Sequence, residues 1–179
     1  MTAQHSAAMA TWYTPEQYVE AARKVLGTID LDPASDANGN QIVKAARYFS
    51  SGGETDCSWG HGVSVWLNPP GPVKGKGAAA MPYPKLFWQR LLRHRDAGHL
   101  MHAIVAAFSI EQLQTSQNWG GVAMTAFPVC IPRKRVSWNP PAGMKANSPT
   151  HASAFVYVPG LVNATAAFFD VFSEFGAVI

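Results

Sequence analysis

The apolar run Val63-Ser64-Val65-Trp66-Leu67 stops at Asn68-Pro69-Pro70-Gly71, and this junction constrains the fold more than any other stretch of the chain. Five residues of this kind read as a buried strand. Each proline fixes φ, removes a backbone donor and restricts the residue before it, so the strand has to end rigidly. The prolines make a stiff loop at the strand's C-terminal end, with carbonyls free to accept hydrogen bonds. Open α/β sheets place their ligands at that end.

Such a loop suits the holding of an amino group. An exocyclic amine conjugated to a purine or pyrimidine ring is a poor nucleophile. An enzyme that transfers a carbon to it must accept its hydrogens and favour a more tetrahedral nitrogen. The Asn68 side-chain oxygen and the Pro69 carbonyl could take one hydrogen bond each, and Gly71, just past Pro70, leaves room for a ring to approach the backbone. A Pro-Pro turn that merely ends a strand uses the same residues, and a short motif does not separate the two.

The rest of the chain alternates between helix and strand patterns. Thr14 is a good N-cap with Pro15 at the first helical position and Gln17 at the third, which predicts a helix over 15–26 that stops at Gly27. Strands are expected at 28–31, 63–67, 102–108, 122–131, 136–138 and 153–158, and helices at 86–94 and 164–175. Ser109 with Gln112 makes a second capping pair, for a helix to about residue 119. This order predicts an α/β fold, a doubly wound sheet with helices on both faces. With 179 residues the chain has the length of one domain, here 12–179 behind a flexible 1–11. The glycine- and alanine-rich stretch at 71–82 reads as a mobile loop beside the Asn-Pro-Pro site.

Several pieces, in order and at matching spacing, carry a family likeness. They are Trp12-Tyr13-Thr14-Pro15-Glu16, Ile29-Asp30-Leu31-Asp32-Pro33-Ala34-Ser35, Ala46-Arg47-Tyr48-Phe49, Asp56-Cys57-Ser58-Trp59, the Asn-Pro-Pro loop, and Ile131 through Trp138. Over about residues 12 to 158 the chain resembles the phage-type DNA adenine N6-methyltransferases, short S-adenosylmethionine-dependent enzymes. The resemblance implies a reduced Rossmann-like methyltransferase fold, a single mixed sheet flanked by helices. It implies S-adenosylmethionine as methyl donor, DNA as partner and a cytoplasmic location in a bacterium or a phage-infected host. It places Asp30, Asp32, Pro33 and Ala34 at the donor pocket, with Asp56 at the donor's adenine. Two features depart from the pattern: Gly71 stands where an aromatic residue usually stacks on the target base, and 30–35 contains no Gly-x-Gly.

One of Asp30 and Asp32 is expected to face the ligand crevice while the other caps a turn or faces a helix. Thr14 and Pro15 have two compatible roles, capping the helix and presenting its positive N-terminus to the donor's carboxylate. A base drawn out of a duplex needs a stacking partner. Trp66, Tyr83, Trp88 and Trp138 are candidates, Tyr83 foremost because it comes just after the mobile loop, whereas Trp66 reads as core.

Charge is divided along the chain. Residues 1–60 hold four Lys/Arg against seven Asp/Glu, and residues 71–150 hold ten against two. An acidic segment suits a ligand that carries a sulfonium and an ammonium, and a basic one suits a phosphate backbone. Lys74 and Lys76 in the mobile loop could close over substrate or grip phosphate. Arg133 and Arg135, two of three consecutive cations on an expected strand, alternate faces with Lys134 and form the preferred nucleic-acid contact. A second Asn-Pro-Pro, Asn139-Pro140-Pro141, lacks a comparable apolar strand before it and reads as a loop.

Other classes fit poorly. Two cysteines make no disulfide framework or metal pattern, and six histidines lack paired ligand spacing, so no metal is expected. The apolar runs are strand-sized, too short for a bilayer, and no basic-then-apolar leader points to secretion. Beside a methyltransferase of adenine in DNA, two readings stay open: a non-catalytic nucleic-acid-binding protein on the same scaffold, and a same-fold enzyme that modifies a different amine or nucleotide.

Overall fold

A computed structural model describes residues 12–55, 57–71, 73, 74, 80–141 and 151–179. The expected flexible 1–11 lies outside them. Nine strands and five α-helices are described: α1 Glu16–Leu26, β1 Leu31–Asp32, α2 Ala37–Val43, β2 Arg47–Tyr48, β3 Val63–Leu67, β4 Val73–Lys74, β5 Met81–Pro82, α3 Tyr83–Asp96, β6 Leu100–Ala107, α4 Glu111–Thr115, β7 Val129–Pro132, β8 Ala154–Pro159, α5 Thr165–Phe172 and β9 Gly176–Val178. Seven strands form one mixed sheet in the order β2-β1-β3-β6-β8-β7-β9. The β2, β1, β3 and β6 half is parallel, and β8, β7 and β9 are each antiparallel to their neighbours.

Both faces of this sheet are covered, as its alternating side chains record. Val65 and Leu67 of β3, Ala103 and Val105 of β6, and Val156 and Val158 of β8 join a core with Phe87, Trp88 and Leu91 of α3. Their neighbours Trp66, Ile104, Phe155 and Tyr157 point the other way, into a second core with Val19 of α1, Val43 of α2 and Phe168 and Phe172 of α5. Continuous apolar strands are what a sheet buried on both faces requires. The expected α/β architecture with one mixed sheet flanked by helices is therefore observed.

The differences from expectation have local causes. Residues 124–126 form a turn of 3-10 helix whose Met124 N–H donates to the Ser116 hydroxyl (3.0 Å), so the strand expected over 122–131 is confined to β7. No strand forms at 136–138: Val136 and Trp138 are buried and Ser137 is exposed, but that period-2 burial comes from a loop lying on the core. The helix expected from Ser109 to about residue 119 is split into α4 and a 3-10 turn at 116–118. The closing helix ends at Phe172, and the chain returns as β9, close against β7. A Cβ at Gly176 would stand 1.9 Å from the Ile131 carbonyl oxygen, so only glycine allows that pairing. Helix α2, unforeseen in the sequence, begins at Asp36, whose carboxylate accepts from the Gly39 N–H (2.7 Å). The ends of the expected 71–82 loop pair as a short antiparallel ribbon, Val73 with Pro82 and Lys74 with Met81.

Candidate active site

The parallel half of the sheet brings the two principal motifs together. Leu31 of β1 lies beside Val65 of β3, so Asp32-Pro33-Ala34-Ser35 and Asn68-Pro69-Pro70 leave the C-terminal ends of adjacent strands. Asn68, Pro69 and Pro70 are buried, and Gly71 is exposed, with no atom of the described residues within 4 Å of a Cβ built on it. The Asn68 Nδ2 donates to the Trp12 carbonyl (2.8 Å). This hydrogen bond fixes which end of the amide is the acceptor oxygen.

Asp32 is 2% exposed and sits under the same crevice. Burial pushes its carboxyl up to about 7, against the Ala34 N–H and the Ser35 hydroxyl, which favour its charged form. The Ala34 N–H donates to Asp32 Oδ1 (3.1 Å). The next acid along, Asp36, accepts from the Tyr13 hydroxyl (2.9 Å), which ties the entry of α1 to the start of α2. Burial and this carboxylate hold the Tyr13 phenol above its usual range.

Thr14 is not the helix cap that the sequence suggests. Helix α1 starts one residue later, Pro15 occupies the cap position, and no side chain caps it. Among the described residues the buried Thr14 Oγ1 has no hydrogen-bond partner, and neither has the Trp66 Nε1. Both residues, with Asp32, Ser35 and Asn68, line a cavity of about 10 Å³.

On the other side of the Ala34-Ser35 segment lies a larger cavity of about 130 Å³, walled by Pro33, Pro70, Phe49 and Phe87 and edged by Ser50, Ser51 and Glu54. Its rim is held closely. A Cβ at Gly53 would meet the Pro33 carbonyl oxygen at 1.8 Å, and the Gly53 carbonyl accepts from the Trp59 indole N–H (2.8 Å). The Arg90 guanidinium donates to the Thr55 and Cys57 carbonyls, and that of Arg47 to the Trp59 carbonyl. Sequence reasoning misses Phe49, Glu54 and Phe87 as site residues. Phe49 lies in a matching segment, but nothing local in the sequence marks Phe87 of α3 as a pocket wall.

The remaining candidates fall into three groups. Asp30 is committed to joining strands: its carboxylate accepts from the Ser64 N–H (2.8 Å) and the Thr28 hydroxyl (3.2 Å). Arg133 is likewise taken up, donating to the Glu174 (2.7 Å) and Ser173 (3.0 Å) carbonyls past the end of α5. Trp138 is core; its indole N–H donates to the Ser153 hydroxyl (3.2 Å), and its ring packs on Phe108. Arg135 is exposed on the loop that replaces the expected strand, and Tyr83 opens α3, half-buried, its ring centroid 6.4 Å from Phe87. Lys74 lies in β4, whereas Asp56 and Lys76 lie outside the described residues.

At the opposite end of the parallel strands three imidazoles gather, with His61 and His99 centroids 3.8 Å apart and His94 and His99 5.3 Å apart. Burial, with His99, Arg90 and His61 as neighbours, pushes His94 down to about 4. Among the described residues no group of three or more His, Cys, Asp and Glu could hold a metal ion, and no helix is long and apolar enough to cross a membrane.

No protein-family model, curated protein or solved structure matches the chain. What defines the site is its geometry, a paired-loop crevice at the ends of adjacent parallel strands in a mixed α/β sheet.

Proposed function

We propose that this chain is an S-adenosylmethionine-dependent methyltransferase of the exocyclic amine of adenine in DNA, on a reduced Rossmann-like methyltransferase fold. One observation carries the reading: Asn68-Pro69-Pro70 and Asp32-Pro33-Ala34-Ser35 leave the ends of neighbouring parallel strands, with a cavity on each side of Ala34 and Ser35. That is where open α/β sheets bind ligands.

The residues fit the donor. The larger cavity, with its aromatic and proline walls, suits a flat nucleoside ring, and Asp32 suits the cationic amino-acid end. S-adenosylmethionine supplies an electrophilic methyl group. Asn68, its Nδ2 occupied by Trp12, offers Oδ1 to one hydrogen of the target amine, and the Pro69 carbonyl takes the other. Catalysis then rests on positioning and fixed dipoles, without a nucleophilic side chain. Cys130, whose thiol burial pushes up to about 12, is unsuited to that role in any case. Tyr83 serves as the stacking residue that Gly71 lacks, and Arg135 as a phosphate contact.

A same-fold enzyme acting on a smaller amine is favoured by one observation. Arg133, one of the two cations of the preferred nucleic-acid contact, and Trp138, a stacking candidate, are spent on internal hydrogen bonds. Incubation with labelled S-adenosylmethionine and unmethylated duplex or single-stranded DNA, then digestion to nucleosides, separates the two. Label in N6-methyladenine is the expected result. Label only on free nucleotides, or none, contradicts the DNA reading.

A further inference from the structure

Three stretches far apart in the sequence converge on the dipeptide Trp12-Tyr13. The Trp12 carbonyl accepts from the Asn68 Nδ2 (2.8 Å), the Tyr13 hydroxyl donates to the Asp36 carboxylate (2.9 Å), and the Tyr13 N–H donates to the Asn139 carbonyl (2.8 Å). The Trp12 carbonyl and the Tyr13 N–H belong to one planar trans peptide, so a partner at one end aims the other. Asp36 is itself held, because its second oxygen caps α2 by accepting from the Gly39 N–H (2.7 Å). The Tyr13 ring lies against that first turn, where a Cβ at Gly39 would stand 3.2 Å from two ring carbons. Glycine is a poor helix former, and here its missing methyl leaves room for the ring.

A side-chain amide has no orientation of its own. A half turn about its Cβ–Cγ bond exchanges an acceptor oxygen for an NH2 with two donors, at little change of shape. An amine to be modified also carries donors, so a flipped Asn68 would set donor against donor. A fixed carbonyl opposite Nδ2 removes that ambiguity. We propose that Tyr13, with Asp36 and the backbone of Asn139, forms a positioning clamp that holds the Trp12 peptide and through it orients the Asn68 amide toward the target amine. This rests on the amine-transfer reading above and adds to it residues whose effect passes through Asn68. Tyr13 also lines the smaller cavity and Asp36 the larger, so orientation has to be separated from contact with the donor.

The test is Tyr13→Phe, which removes only the hydroxyl, made in wild type and in Asn68→Ala. Labelled methyl transfer, calorimetric titration with S-adenosylhomocysteine and the side-chain NH2 resonance of Asn68 in a proton–nitrogen correlation spectrum are the readouts. Tyr13→Phe should lower kcat about 10-fold, the loss typical of one hydrogen bond to a charged group, and leave S-adenosylhomocysteine binding unchanged. The Asn68 resonance, identified by its absence in Asn68→Ala, should move or broaden. In Asn68→Ala the same substitution should cost no further activity, because residues acting through one interaction are not additive. An unchanged kcat, losses that multiply in the double variant, or an unmoved Asn68 resonance overturns the clamp while leaving the transferase reading intact. A fall in S-adenosylhomocysteine affinity as large as the fall in kcat assigns Tyr13 to the donor pocket and also overturns it. Wild type that binds S-adenosylhomocysteine but methylates no amine removes the amine-transfer reading, and the clamp with it.

Discussion

The chain contains Asn-Pro-Pro twice, at 68–70 and 139–141, and the two copies have opposite fates. Asn68 comes after a strand whose five residues are all buried, is itself 7% exposed, and turns its side chain to the Trp12 carbonyl beside two cavities. Asn139 comes after a loop, is exposed, and pairs with Tyr13 through its backbone, N–H to carbonyl in both directions (2.8 and 2.9 Å). Both copies meet the same short segment, 12–14, from two sides. One presents an amide to a crevice and the other braces the chain that closes it. The tripeptide sets only stiffness; the element before it and the space after it decide whether stiffness becomes a site.

The largest effect should separate these copies directly. Asn68→Ala should lower methyl transfer by about 10²–10³-fold, as removal of a positioned transition-state partner does, with donor affinity nearly intact. Asn139→Ala keeps the backbone pairing and should change stability by less than about 0.5 kcal/mol and transfer hardly at all. Comparable losses of activity in both variants would erase the distinction.

Asp32 provides the next test. The folded protein keeps its proton to about pH 7, up from the ordinary 3.8. Between those values the native state binds more protons than the unfolded chain, so stability falls as pH rises from about 4 to 7. The range is of the order of 4 kcal/mol. Asp32→Asn should flatten that slope in urea titrations, and binding of a cationic ligand below pH 7 should release a proton. His94 acts with the opposite sign at the other end of the strands. Held down to about 4, it makes the unfolded chain the better proton acceptor below about 6.5, so stability falls as pH drops through that window. His94→Gln should remove this acid-side loss.

Much of the parallel half was legible in the sequence. The continuous apolar run of β3 and the proline stop after it are local signals, and α1 and β6 lie within one to two residues of their expected bounds. The antiparallel half was less so, although β8 lies within one residue of its expected bounds. Residues 133–138 carry the alternation of a strand, yet Arg133 gives its N–H to the Phe175 carbonyl and its guanidinium to the end of α5. A tertiary partner some forty residues away overrides the local pattern. Helix α2, with its Ala-Asn-Gly-Asn start, has weak propensity and depends on the Asp36 cap and on packing. The unpaired Trp66 N–H could not be read at all, since an apolar strand gives no hint of what its one donor lacks.

Smaller effects sharpen the contrast between crevice and brace. Gly53→Ala drives a methyl group into the Pro33 carbonyl and should cost about 1–3 kcal/mol, with weaker nucleoside binding because the rim of the larger cavity must move. Arg133→Ala should cost below about 1 kcal/mol and leave the salt dependence of DNA binding unchanged, its guanidinium being taken by α5. Arg135→Ala should instead reduce the salt slope by about one. A change of slope in Arg133→Ala would return that residue to the DNA track.

The central claim is that the crevice between the ends of β1 and β3 is a methyl-donor pocket, and calorimetric titration of the purified protein with S-adenosylmethionine tests it most directly. Saturable binding at one site per chain is the predicted result. Absence of binding, in protein whose cooperative urea transition shows it to be folded, would contradict it.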